Sequence, residues 1–283
     1  MIYLQFREML VGLYSANRRI VNQSFSALPE GLRQTTPGSG TGLLNFRSLA
    51  GLPGDGGRRL RPGRLFRAGH SPGLAPDTAE TLRLLGLVSV CDLRSAEEQA
   101  REPSALVAAG FAPALPAPEG DPTLALRVVG DPAARPQDVR AAMLSTYAAM
   151  PESFAPALRG VFQAALACRG GLMVQCAIGK DRTGVAVALL LAALGVPRAA
   201  IQADYVASNA ARPAIFAALA ARNADRKPPP EPMLAPLLAA DPGYLGAFWD
   251  RLDTDWGGPE GYMLGALGLG ADAIGSLRAR LLD

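Results

Sequence analysis

The chain has 283 residues, 49% of them hydrophobic and 19% charged, enough apolar material for one large domain or a domain with a small insertion. A net charge of +3 is too mild to point to nucleic acid. One histidine, His70, and three scattered cysteines leave neither a zinc cluster nor a Ser-His-Asp triad, so the chemistry is expected to run without metal or cofactor.

Along the chain, residues 1–20 place Ile2, Leu4, Phe6, Met9, Leu10 and Leu13 at spacings compatible with one amphipathic helix. Residues 21–40, closing on Thr35-Thr36-Pro37-Gly38-Ser39-Gly40, read as a flexible lead-in, so 1–40 is an extension, either a docking arm or without part in catalysis. Nothing resembles a cleavable signal peptide and no stretch is apolar enough for a membrane span. These features point to the cytoplasm, or to secretion without a recognisable signal, and leave the oligomeric state open. From Arg64 onward short strands alternate with helices: strands over 65–68 and 87–92, a helix over 77–85, a further strand over 124–129, then helices over 136–150 and 152–167. A buried strand over 172–174 precedes an apolar helix over 184–194, closed by Gly195 and Pro197. Helices over 198–209 and 214–222, a proline-rich breaker over 227–232, and helices over 244–252 and 271–282 complete the pattern. This is an α/β arrangement, a central mostly parallel sheet flanked by helices.

The turn between strand 172–174 and the apolar helix reads Cys176-Ala177-Ile178-Gly179-Lys180-Asp181-Arg182-Thr183-Gly184. Successive N–H groups from Ala177 to Arg182 can converge there on one anion, at the positive end of a helix dipole. A cysteine at a helix N-terminus beside an arginine is favoured as the nucleophilic thiolate, which is the role read for Cys176. Arg182 can hold two phosphoryl oxygens with its planar fork, Gly179 lets the backbone bend, and Thr183 can donate its hydroxyl to the sulfur. A bare Cys-x5-Arg spacing is weak in a chain so rich in arginine; Gly179, Lys180, Thr183 and Gly184 at fixed offsets supply the weight. The loop points to phosphate ester hydrolysis.

On these residues the sequence resembles the cysteine-dependent protein tyrosine phosphatase superfamily. More narrowly, it is similar to the bacterial tyrosine and lipid phosphatases that carry Cys-x-x-Gly-Lys-Asp-Arg-Thr-Gly, a group with mycobacterial members. Leu44-Asn45-Phe46-Arg47, Leu65-Phe66-Arg67-Ala68-Gly69, Val90-Cys91-Asp92-Leu93-Arg94-Ser95, Ala203-Asp204-Tyr205-Val206-Ala207-Ser208-Asn209 and Gly261-Tyr262-Met263-Leu264 extend the likeness over residues 41–283. The resemblance implies a phosphatase fold over that span. It also implies a cysteinyl-phosphate intermediate, and phosphotyrosine substrates with dual-specificity or phosphoinositide activity. A phosphorylated protein or a phosphoinositide would be the partner. It implies Asp181 as general acid and then general base. Asp92 competes for that role because it ends a predicted strand facing the crevice; Asp121 and Asp131 are further options, and for these three a turn or cap is the other reading. Lys180 offers a second cation to a multiply phosphorylated ring.

Two positions depart from the resemblance. Gln175 stands where the group has histidine; it can hydrogen-bond within the loop but carries no charge, so a less favoured thiolate and a slower enzyme are expected. Ile178 replaces a frequent alanine and should crowd the pocket rim. Gln175 also motivates the alternative of a catalytically weak, phosphate-binding pseudophosphatase. Sulfur transfer and arsenate reduction also use a cysteine on such a loop, without the Lys-Asp-Arg-Thr-Gly run. Residues 210–245 are either a lid over the pocket or packing scaffold. Cys91 either packs in the core or captures oxidised Cys176 as a disulfide, and Cys168 reads as core. His70 sits in a turn or at the rim, and the arginines at 58, 59, 61, 64 and 67 form a solvated turn or attract anions.

Overall fold

A computed structural model describes residues 43–115, 124–131, 133–222 and 229–283. The expected helix over 1–20, the lead-in to residue 40 and Asp121 lie outside the described residues. Strands β1 (Arg47–Ser48), β2 (Leu65–Gly69), β3 (Leu87–Asp92), β4 (Ala112–Pro113) and β5 (Gly171–Cys176) form one sheet in the order β1-β2-β5-β3-β4. Only β1 runs antiparallel to its neighbour; the other pairings are parallel. The fold is thus the α/β arrangement read from the sequence.

Helices α1 (Pro76–Leu84), α2 (Ala96–Arg101) and α3 (Ala105–Ala108) precede β4. Between β4 and β5 come α4 (Leu124–Val129), α5 (Pro136–Ser153) and α6 (Ala155–Ala167). After β5 follow α7 (Asp181–Ala193), α8 (Arg198–Ala207), α9 (Arg212–Arg222), α10 (Glu231–Leu238), α11 (Pro242–Trp256), α12 (Pro259–Gly265) and α13 (Ala271–Leu281). Side chains alternate across a strand, and each face of the sheet has its own core. Leu65, Cys91, Leu172, Val174 and Cys176 face the larger, built with α5 to α8 and α11 to α13. Phe66, Ala68, Val90 and Met173 face the smaller, with Leu82 of α1, Leu106 of α3, Leu43 and Phe46. β5 is buried on both faces along its whole length, as a central parallel strand should be. α7 is buried from Thr183 to Leu191, and a helix apolar all round belongs in the core.

Two expectations are corrected. Residues 124–129 form α4, not a strand. Six residues, five of them apolar, do not distinguish the two, and this segment lies against α5, where Val128 joins the larger core. The break between the two long helices falls at Phe154 (φ −114°, ψ 6°), leaving Pro151 inside α5. α9 and α10 meet in a small third cluster, Ala211, Ile215 and Leu238, with Leu44, Ile178 and Leu234 packed against it. Among the described residues no helix is long and apolar enough to cross a membrane.

Candidate active site

β5 carries Cys176 to the carboxyl end of the sheet's centre, beside its register partner Gly69 of β2 and next to the Asp92–Gln175 pair with β3. That is where open parallel sheets place their ligands. The chain then turns through residues 177–180 into α7. Gly179 has φ +70°, and a Cβ there would lie 2.5 Å from the backbone of Ala68 and Gly69. Only glycine lets the loop pass so close to β2.

Four consecutive carbonyls of this turn are held from the sheet side. The His70 amide donates to the oxygens of Cys176 (2.8 Å) and Ala177 (3.2 Å). Asn45 Nδ2 donates to Ile178 O (3.2 Å) and Gly179 O (2.9 Å), and Arg67 Nη2 to Gly179 O (2.7 Å). Asn45 adopts φ +52°, a conformation asparagine tolerates better than most residues. With the carbonyls engaged behind, the N–H groups of Ala177, Ile178, Gly179 and Lys180 donate to nothing among the described residues. Successive backbone donors left so in one turn can cradle an anion.

The support beneath is ionic. Asp204 of α8 accepts from Arg47 Nε (2.7 Å) and Arg67 Nη1 (2.5 Å), all three side chains buried. Arg47 also reaches Asn45 Oδ1 (2.7 Å) and Ser208 Oγ (3.1 Å). The two guanidiniums hold the Asp204 carboxyl below its usual range against the cost of burial. Burial and the like charge of Arg67 lower Arg47 to about 10, still protonated at neutral pH. Two cations share one carboxylate, so net positive charge sits directly behind the loop.

Arg182 lies in the first turn of α7. Its Nη1 and Nη2 bind Glu98 Oε2 (2.6 Å) and Oε1 (2.9 Å), and Nη1 also reaches Leu93 O (3.0 Å). The Glu98 carboxyl stays below its ordinary value, Arg182 outweighing desolvation. Arg182 is itself raised: against desolvation by burial, its pairing with Glu98 and the nearby Cys176 favour the charged form. Glu98 is fixed by a capping box on α2, with Ser95 N donating to Oε2 and Glu98 N to Ser95 Oγ. Thr183 Oγ1 is buried and has no hydrogen-bond partner among the described residues. Cys176 is 2% exposed.

Asp181, at the start of α7, is partly exposed; its Oδ1 accepts from Tyr147 OH (2.8 Å) and forms an ion pair with Lys180 Nζ (3.1 Å). The Lys180 ammonium is fully buried, donating to Leu237 O (2.6 Å) and Ala239 O (2.8 Å) at the C-terminal end of α10. It is thus turned toward α10. Asp92 is buried and encircled: Arg94 Nε and Nη2 reach both its oxygens at 2.7–3.1 Å, and Gln175 Nε2 donates to Oδ2 at 3.0 Å. Gln175 therefore bonds to β3 and not within the loop. Asp131 Oδ1 accepts from Ala133 N in an exposed turn.

His70 is buried, its Nε2 3.4 Å from Glu102 Oε2, and is not a rim residue. Cys91 pairs in register with Val174, two residues short of Cys176. Diagonal neighbours in a sheet lie ~7–8 Å apart, beyond the reach of a disulfide at ~7 Å. Burial also raises the Cys91 thiol, so the structure favours the core reading. Of the arginine cluster, Arg67 is core and Arg58 pairs with Asp55 (3.1 Å), while Arg59 and Arg61 border the bridge between Leu60 and Leu282.

The roles of Asn45, Arg47, Arg67, Asp204, Glu98 and Tyr147 escaped the sequence reading. Two signals were present: an arginine within the buried strand Leu65–Gly69, which demands a partner, and Ser95-x-x-Glu98, a capping box.

Known proteins bear on this geometry directly. The tyrosine phosphatase family model matches residues 39–283. A protein of Cupriavidus necator, named as a tyrosine-protein phosphatase, is 37% identical over 227 residues, covering 80% of this chain and 82% of the relative. The triple specificity protein phosphatase PtpB of Mycobacterium tuberculosis is 30% identical over 274 residues, 85% of this chain and 97% of the relative. A tyrosine-protein phosphatase of Nostoc commune is 28% identical over 214 residues, 71% and 68% respectively. The chain belongs to the tyrosine phosphatase family and is a phosphoric monoester hydrolase.

Proposed function

We propose that hydrolysis proceeds through a cysteinyl-phosphate on Cys176, with Arg182 and the amides of residues 177–182 holding the phosphoryl oxygens. The observation that carries this reading is the row of N–H groups over Ala177 to Lys180 that donate to nothing among the described residues while their loop's carbonyls are engaged from behind. The sulfur attacks phosphorus as the bond to the leaving oxygen breaks, and Asp181 gives its proton to that oxygen. Water then attacks phosphorus, Asp181 takes its proton, and the thiolate leaves. Thr183, whose hydroxyl is unpartnered among the described residues, is positioned in sequence to donate to that sulfur. Asp181 is preferred to Asp92 because both oxygens of Asp92 are already bound by Arg94 and Gln175.

Glu98 acts as the positioning residue for Arg182. Its end-on pairing uses Nη1 and Nη2, and leaves Nε for the substrate. α9 and α10 act as a lid whose contacts with the loop are Ile178 and the Lys180 ammonium. Phosphotyrosine is the expected substrate, with phosphoserine, phosphothreonine and phosphoinositides as further ones, a breadth in keeping with the name of the M. tuberculosis relative.

Turnover of p-nitrophenyl phosphate, its loss in Cys176→Ser, and phosphorylated Cys176 in acid-quenched enzyme test the mechanism. Wild-type protein that binds vanadate without turning over substrate would leave a phosphate-binding pseudophosphatase instead. A panel of phosphotyrosine, phosphoserine and phosphoinositide compounds tests the substrate range.

A further inference from the structure

A buried phenol and a buried ammonium converge on the same oxygen of Asp181, the first by a hydrogen bond and the second as an ion pair. Tyr147 OH lies 2.8 Å from Oδ1 and Lys180 Nζ 3.1 Å from it, while Oδ2 accepts nothing among the described residues. Neither donor is free to turn elsewhere. The ammonium of Lys180 donates to Leu237 O and Ala239 O, which hold it in an ion pair 3.1 Å from Asp181 Oδ1. Tyr147 has one proton, directed at Asp181, so the contact with Tyr205 OH at 2.8 Å is Tyr205 donating to Tyr147. A chain of two phenols therefore ends on the carboxylate, and each bond polarises the next. Burial and the neighbouring carboxylate keep the Tyr147 phenol well above its ordinary value, so it stays a donor. Tyr147 is further fixed by its ring contacts with Tyr205 and Tyr244.

We infer that Tyr147 and Lys180 are positioning residues that assign the two oxygens of Asp181 different tasks, Oδ1 as a fixed acceptor and Oδ2 as the sole carrier of the catalytic proton. The inference rests on the reading of Asp181 as general acid and base. A proton on Oδ1 would face the ammonium and cost Tyr147 its acceptor, so the acid form carries it on Oδ2. That proton passes to the leaving oxygen as its bond to phosphorus breaks. In the second step Oδ2 takes a proton from the attacking water while the sulfur–phosphorus bond breaks. The carboxyl group does both without rotating, because Oδ1 keeps the same two partners throughout.

The test is the dependence of rate on the leaving group, which a merely structural role would not move. A leaving group that departs readily as an anion needs no proton, and a poor one does. Tyr147→Phe should lower kcat/KM on phenyl phosphate about tenfold more than on 2,4-dinitrophenyl phosphate, a fraction of the ~10²–10⁴-fold that a general acid contributes. Asp181→Asn, measured on the same pair, should show a larger selective loss. If Asp181→Asn loses both substrates equally, the reading of Asp181 falls. If Asp181→Asn is selective and Tyr147→Phe is not, the positioning inference falls alone. Should Tyr147→Phe fold poorly, Lys180→Gln and Tyr205→Phe give the same readout: a selective loss supports the inference and an even loss overturns it.

Discussion

The phosphate loop is held differently on its two sides. Toward the sheet, the carbonyls of residues 176–179 are engaged by Asn45, Arg67 and the His70 amide, over a buried ion network of Arg47, Arg67 and Asp204. Toward α10, the contacts are Ile178 in a small apolar cluster and one ammonium on the last carbonyls of that helix. The first set fixes direction, because each carbonyl is met by a directional hydrogen bond, and the one from Arg67 is charge-assisted. The second is directional at one point, the Lys180 ammonium, and otherwise fixes proximity, because apolar packing is not directional. A loop that must present several amides to one anion needs direction on one side. A rim that must admit different esters is better served by the other. The comparison makes the sheet side the costlier to disturb.

Arg67→Met should therefore have the largest effect. It leaves Asp204 buried with one cation and removes a bond from Gly179 O, and breaking a buried pair from one side costs about 3–5 kcal/mol. Urea unfolding should record a loss of that order, together with weaker vanadate binding. A loss under about 1 kcal/mol, within the range of an exposed ion pair, would put the two sides of the loop on equal terms.

Acid should sharpen the same contrast. The Asp204 and Glu98 carboxyls are both held below their ordinary values, so each contributes stability that is fully present above the unfolded pKa of ~4 and is lost as pH falls through the folded value. Stability measured by thermal melting should fall as the pH drops below about 4. In Asp204→Asn the starting stability should be lower and the further loss in acid smaller. An acid limb as steep as that of wild type would mean that Asp204 does not couple folding to protons.

On the other side, Lys180→Met leaves the carbonyls of Leu237 and Ala239 without their donor, at a cost of about 1–3 kcal/mol. The loss should appear as earlier hydrogen exchange in α10 and α9, with the sheet's exchange unchanged. If the central strands exchange faster as well, α10 is part of the global fold and not a separable cover.

Much of this organisation was legible in the residues. The cysteine, arginine and glycine of the loop, the buried strand before it and the apolar helix after it are local patterns, and local patterns survive folding. β1 and β4 were not legible because two-residue strands carry no period. α4 was misread because a six-residue, mostly apolar run suits either element until a neighbour decides. The supports of the loop come from positions 45, 67, 98, 147 and 204, brought together only by the topology. Asn45 and Gly179 are 134 residues apart in the chain, and Arg67 and Asp204 are 137 apart. Pattern reading finds the residues that react more readily than those that hold them.

The smallest expected effect lies at Gln175. Its side chain points to the opposite face of β5 from Cys176, as neighbours on a strand must, and it donates to Asp92, which Arg94 already neutralises. Gln175→His would bring an imidazole to Asp92 and, when protonated, a positive charge near the thiol. Each pKa unit by which such a charge lowers a thiol raises its thiolate fraction up to tenfold, while the thiolate's nucleophilicity falls about threefold. The net gain in kcat on p-nitrophenyl phosphate should then be about threefold, with iodoacetamide alkylation extending to lower pH. Because Arg94 competes for the same carboxylate, the imidazole is held less firmly than glutamine's amide, which keeps the gain small. An alkylation profile identical to that of wild type would show that charge at position 175 is not felt by the nucleophile. The loop's amides and Arg182 would then be sufficient to favour the thiolate.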